Sequence, residues 1–291
     1  MIEEHISTGR LALNVKYSFN GKPVVLFLHF SGGNLHMWEG ILPQFQQEFS
    51  VIAPDLRGHG RSDKPQAGYH IDEMAEDVHL LLQQLGIREC HVVGSSMGAE
   101  VGLSLAAAHP GLVKSLVCEG ALHNEFGEYG IFQGNAEDIE RRQAEIRGEL
   151  AEREERVFAE AEEYIAEMRA ELTAEGLWNE YFSAFYEHSL QPLPDGSYTY
   201  CYRNHVRNEY IEQYWELAFE DYYQRLTCPV LFLPSEDEWN NPAVRSSLDS
   251  FAAMVNSSEI KRIPGSIHAY VWMQLPQQAG QAVKDFLAEQ L

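Results

Sequence analysis

Basic residues are scarce in this 291-residue sequence: 21 Lys and Arg stand against 44 Asp and Glu, a formal net charge of −23. Such a surface repels phosphate backbones and anionic lipid, so neither nucleic acid nor membrane is expected as a partner. Long apolar runs are missing as well. The most apolar stretch, Val24-Val25-Leu26-Phe27-Leu28, is far too short to cross a bilayer. Cysteine is sparse, and Cys90, Cys118, Cys201 and Cys228 show no C-x-x-C or metal-ligand spacing. They read as buried reduced thiols and not as a disulfide frame. The opening Met1-Ile2-Glu3-Glu4-His5 lacks the apolar core of a signal peptide, which points to a cytoplasmic protein. There is no H-E-x-x-H, no ligand cluster and no G-x-G-x-x-G, so no metal and no other cofactor is expected.

What is present is material for a core: 45% hydrophobic and 11% aromatic residues. Val24–Phe30, His91–Val93 and Val230–Leu233 are short, β-rich apolar runs of the kind buried on both faces of a parallel sheet. Ser50–Ala53 and Leu116–Cys118 are weaker examples, and Ile6–Phe19 reads as an antiparallel edge pair. Helical patterns at Asp72–Leu85 and Ala99–Ala108 lie between them. Alternation of this kind predicts an α/β fold, a mostly parallel twisted sheet with helices on both faces.

Composition shifts after Ala121. Glu125–Gly176 holds 16 acidic and 6 basic residues, a net of −10, and no proline. Apolar residues from Ile139 to Leu172 recur in steps of three, four or seven, a narrow helical stripe with Asn135 placed as N-cap. The plain expectation is a solvated helix pair. Residues 1–121 and 223–291 are thus predicted to form the core, interrupted by an all-helical insertion over 122–222.

The sharpest local signal is Gly94-Ser95-Ser96-Met97-Gly98, set between the run His91–Val93 and an Ala-rich helix. A G-x-S-x-G at such a junction makes a turn so tight that glycines must flank the central residue. It pushes the Ser96 hydroxyl out at the sheet edge, while Ser95 points away. The helix N-terminus behind it offers N–H groups and a positive dipole end to a developing oxyanion. A chance small-residue turn could supply the pentapeptide alone, but not its placement between strand and helix.

With these residues the chain resembles the α/β-hydrolase-fold family, in particular serine esterases carrying an inserted helical cap. His29-Phe30-Ser31-Gly32-Gly33 through Trp38 is similar to the family's oxyanion loop, with Phe30 in place of the usual glycine. Pro54-Asp55-Leu56-Arg57-Gly58-His59-Gly60-Arg61-Ser62 is similar to its D-x-R-G-x-G-x-S stretch. The resemblance implies that backbone N–H groups of Ser31 and Met97 form an oxyanion hole. It implies also that His268, between the last strand candidate and the C-terminal helix, is the general base. Of the other histidines, His29, His59 and His91 fall in motif or strand positions where packing and turn roles suffice, His109 ends a helix ahead of Pro110, and His188 and His205 lie in the insertion.

For the acid, the resemblance selects Glu238, tenth from the strand-opening Pro229 and four before Pro242. Asp237 is the runner-up. Glu119 is a third candidate, because some relatives carry their acid after that strand. It falls one residue short, however, and counting by twos from Val113 turns it away from the site. A solvated surface charge remains the plain reading of each carboxylate in so acidic a chain.

The resemblance implies hydrolysis of a carboxylic ester or related acyl bond of a small to medium, largely apolar molecule. A carbon–carbon bond hydrolase of a diketone-type substrate would use the same residues, as would a ligand receptor with a slow triad. Aromatics in the insertion favour apolar groups, and the acidic surface is expected to disfavour anionic substrates. A homodimer is compatible with the sequence, which does not address assembly.

Overall fold

The computed structural model describes residues 1–290. Its strands run in chain order β1 (Ile2–Ser7), β2 (Ala12–Ser18), β3 (Val24–Leu28), β4 (Ser50–Pro54), β5 (Cys90–Ser95) and β6 (Val113–Glu119). Three short ones follow, β7 (Val157–Phe158), β8 (Leu190–Pro192) and β9 (Tyr198–Tyr200), then β10 (Val230–Phe232) and β11 (Ser258–Ile260). Eight of them form one sheet in the order β1-β2-β4-β3-β5-β6-β10-β11. The first two pairings, β1 with β2 and β2 with β4, are antiparallel, and every other is parallel.

The period of two along each strand divides the core. Leu26, Leu28, Val92, Leu116, Cys118, Val230 and Phe232 face one cluster, which takes in the helices Ile71–Gln84, Met97–Ala108 and Pro242–Met254. Val25, Phe27, Val93, Val117 and Leu231 face the other, under the helix Pro276–Ala288. Both faces are covered, and for that reason the central strands read as unbroken apolar runs. All four cysteines are buried and unpaired. Among the described residues no helix is long and apolar enough to cross a membrane.

Between β6 and β10 the chain leaves the sheet and forms the helices Ala136–Glu152, Ala161–Ala174, Glu180–Glu187, Asn204–Tyr214 and Phe219–Tyr223. Asn135 caps the first, accepting from the N–H groups of Glu137 and Asp138, and that helix buries no residue, so its acids face solvent. The expectation of an all-helical insertion needs correction. β7, β9 and β8 pair as a small antiparallel sheet. Strands of two or three residues carry too little alternation to read in a sequence.

One buried side chain ties the loops at the sheet's C-terminal edge. Asp55, 1% exposed, accepts from Leu35 N at 2.7 Å, Arg61 N at 2.9 Å and Asn14 Nδ2 at 3.0 Å. The loop after β3 is thereby fixed to the loop after β4. Asp55→Ala removes the acceptor of three donors, leaves buried Leu35 N without a partner and should lower the unfolding free energy by about 2–4 kcal/mol. Urea unfolding of the purified variant measures it.

Candidate active site

Ser96 is the single residue between β5 and the helix Met97–Ala108, and its φ of 49° lies in the left-handed region. For a non-glycine residue such a backbone costs about 1–3 kcal/mol. Packing enforces it. A Cβ at Gly98 would sit 2.1 Å from Leu28 O, and one at Gly94 would sit 2.4 Å from Ala99 Cα. Nothing larger than glycine fits on either side of Ser96. Its hydroxyl makes no capping bond to the helix it precedes, so Oγ is left for another partner.

That partner is His268, whose Nε2 lies 3.0 Å from Ser96 Oγ. The loop carrying it is pinned by Gln274, which accepts from Ile267 N at 3.1 Å and donates to Gly265 O at 2.9 Å. Behind the ring stand two carboxylates. His268 Nδ1 is 3.1 Å from Glu238 Oε1 and 3.2 Å from Glu119 Oε1. Facing two carboxylates, Nδ1 is the nitrogen placed to keep the proton. In the neutral ring Nε2 then offers its lone pair to the Ser96 hydroxyl.

Glu238 lies in the first turn of the short helix Glu236–Asn240, its Oε2 accepting from Ser235 N at 2.8 Å. Asp237, one residue earlier, is exposed. Glu119 does not face away as the count from Val113 expects. β6 shifts register against β5 at its start, Cys90 pairing with Val113 but His91 with Ser115. Lys114 is the extra residue, and past it the alternation inverts. Glu119 then pairs with Ser95, accepts its hydroxyl at 2.6 Å and accepts Trp272 Nε1–H at 3.2 Å. Ala269, at φ 63°, turns its N–H onto Glu119 Oε1 at 2.7 Å. Glu119 is 1% exposed.

Burial alone would lower the His268 pKa, but Glu119 and Glu238 together reverse this and hold it well above the usual histidine value. Burial alone would likewise raise Glu238. The hydrogen bond and charge of His268, with Ser235, instead bring it down to about 2. About 40% of the His268 side chain remains open, so solvent screens part of this coupling. Glu119, Glu238 and His268 also place three ligand-capable atoms within 4.8 Å of one another. A cation there would have to displace the Nδ1 proton and compete with the donors these carboxylates already hold.

Ser31 lies in the turn after β3, where Gly32 at φ 84° reverses the chain and Gly33 N donates to Phe30 O at 2.9 Å. Phe30 itself needs no positive φ, so its side chain is accommodated and packs on Phe185. His29 fixes this loop, its Nδ1–H donating to Phe30 O at 2.8 Å while Nε2 accepts from Leu56 N at 2.9 Å. Met97 opens its helix, and its N–H therefore has no intrahelical acceptor.

Ser96 and His268 border a cavity of about 200 Å³ with Glu100, His123, Tyr210 and Tyr214. The sequence reading passed over Glu100. Burial raises its pKa to about 7, opposed by a hydrogen bond from Tyr210 Oη at 2.8 Å and by the His268 charge. Its spacing of four from Ser96, one helical turn, was the available signal.

A family model described as alpha/beta hydrolase fold matches residues 23–272. The chain belongs to the alpha/beta hydrolase fold family. Among curated relatives, the chain is 37% identical over 116 residues to 2-(acetamidomethylene)succinate hydrolase of Mesorhizobium japonicum, covering 40% of this chain and 41% of that protein. It is 36% identical over 116 residues to fluoroacetate dehalogenase of a Burkholderia species, 38% of each. The chain thus spans about two fifths of the length of the curated relatives it matches. Among solved structures, E-2-(acetamidomethylene)succinate hydrolase superposes with a TM-score of 0.78 at 24% identity, covering 99% of both chains. That likeness establishes the shared fold.

Removing one or the other carboxylate should separate their roles. Glu119→Gln turns an amide NH₂ toward groups that donate and should cost about 2–4 kcal/mol, whereas Glu238→Gln, at a more open position, should cost about 1 kcal/mol or less. The pH dependence has a definite sign. A histidine raised on folding stabilises fully below its unfolded pKa of about 6.5, and that contribution is lost as pH rises through the folded value. Denaturation midpoints from pH 6 to 9 should show this decline in the parent chain and a flatter curve in either variant.

Proposed function

We propose that this protein is a serine hydrolase cleaving a carboxylic ester or related acyl bond of a small substrate. The observation that carries the reading is the 3.0 Å contact of Ser96 Oγ with His268 Nε2, backed by carboxylates on Nδ1. In this reading His268 takes the Ser96 proton as Oγ attacks the carbonyl carbon. The N–H groups of Ser31 and Met97 receive the charge on the carbonyl oxygen, and His268 returns its proton to the leaving group. Water, deprotonated by His268, then releases the acyl group from Ser96. Glu238 orients and stabilises the imidazolium. Glu119 shares that work and anchors the loop.

No cofactor enters these steps. Tyr210 and Tyr214 beside Ser96 support a cap role for residues 122–222, and about 200 Å³ suits a small acyl group. The four buried thiols support a reducing, cytoplasmic setting.

A fluorophosphonate probe read by intact mass should add one label to the parent chain and none to Ser96→Ala, whose ester turnover should fall by several orders of magnitude. Labelling of Ser96→Ala at the parent's rate would remove the reading. Because the base must be unprotonated, kcat/KM should keep climbing above neutral pH. In Glu238→Gln the rise should move to lower pH, the loss of one carboxylate lowering the His268 pKa.

A further inference from the structure

A second cavity, of about 270 Å³, adjoins the loop after β3 and is basic in an acidic protein. Arg153, Arg156 and Arg207 border it, together with Gly32 and Tyr202. Arg156 is spoken for, held bidentately by Glu167 at 2.9 and 2.8 Å. Arg153 and Arg207 are not. Among the described residues neither has a carboxylate within 4.0 Å, although acids outnumber bases two to one in the chain. The nearby Glu155 is taken by Arg203 and by Asn204 N.

Arg207 is half-buried, and its guanidinium is placed by other means. It stacks over the Tyr202 ring at 4.6 Å and donates to Asn204 Oδ1 at 3.2 Å. Burial pulls its pKa down, and the charge of Arg153 adds to this. Two like charges facing one cavity without a counter-charge are unfavourable until an anion enters. Tyr202 also reaches the first site, since its hydroxyl lies 2.6 Å from Ser31 Oγ and its ring covers Gly32. The cavity therefore abuts the loop assigned above to the oxyanion.

We propose that Arg153 and Arg207 form an anion subsite that holds a carboxylate carried by the substrate, away from its scissile carbonyl. The inference rests on the serine-hydrolase reading and names its substrate class, small acyl compounds with a terminal carboxylate. It reverses the expectation that the acidic surface, Glu125–Gly176 included, disfavours anionic substrates. The long helix of that segment buries no residue, so its acids face bulk solvent, while half-buried Arg207 and exposed Arg153 both line a cavity. Arginine suits the role because its planar fork matches a carboxylate and its charge does not titrate away.

The test compares p-nitrophenyl hydrogen glutarate with p-nitrophenyl valerate in the parent chain, Arg207→Gln and the exposed-site variant Arg153→Gln. The ratio of kcat/KM, anionic over neutral, should fall about tenfold in Arg207→Gln and severalfold in Arg153→Gln, and rising salt should shrink the parent's ratio. Calorimetry on Ser96→Ala, which needs no turnover, should show glutarate binding that Ser96→Ala/Arg207→Gln loses. An unchanged ratio in both variants overturns the subsite. So does inorganic phosphate binding without any preference for the anionic ester, which would make the cavity an effector site. If the parent chain takes no fluorophosphonate label, the serine reading fails by itself, and glutarate binding then decides the subsite independently.

Discussion

The whole arrangement depends on one buried carboxylate. Glu119 at the end of β6 accepts from Ser95 Oγ, Ala269 N and Trp272 Nε1, and with Glu238 faces His268 Nδ1 at 3.2 Å. These donors come from β5, from the loop after β11 and from the short helix Val271–Gln274. A charge this deep is tolerated only when its lone pairs are filled. The cost of leaving any of them empty is what holds Ser96 and His268 at 3.0 Å. The left-handed backbone at Ala269 follows from the same demand, because it turns that N–H onto Glu119.

A second carboxylate changes the character of the histidine. One Nδ1–H cannot satisfy two acceptors fully, and two negative charges beside one imidazole favour its protonated form. In the proposed reaction this stabilises the imidazolium that forms as Ser96 attacks. It also weakens His268 as the proposed base near neutral pH, so transition-state stabilisation is gained against a smaller unprotonated fraction. Glu238 is the less buried member of the pair, held by Ser235, and Glu119 is the more buried one. The cavity beside them adds a third carboxyl, Glu100, which burial brings to about 7 and so leaves able to change charge in the working range.

Much of this was legible in the sequence, for physical reasons. Strands buried on both faces must be apolar throughout, so Val24–Leu28 and Val230–Phe232 announced themselves. Gly94 and Gly98 are required by close approach, which made the turn at Ser96 readable. His268 was found through its place in the chain order. Glu119 was misjudged because a single extra residue, Lys114, inverts the alternation of β6, and a bulge leaves no mark in the sequence. The small sheet β7-β9-β8 was missed because its strands are too short to show a period. Arg153 and Arg207 lie more than fifty residues apart, and only folding shows that they face one cavity.

The central claim is that the His268 imidazole is held between Ser96 and two carboxylates and charged more readily than a free histidine. An NMR titration of the His268 ring nitrogens in the resting protein tests it most directly. The account predicts a pKa well above the ordinary histidine value, a proton retained on Nδ1 after the ring becomes neutral, and a downward shift in both Glu119→Gln and Glu238→Gln. Titration at the free-histidine value, unchanged by either substitution, would contradict it.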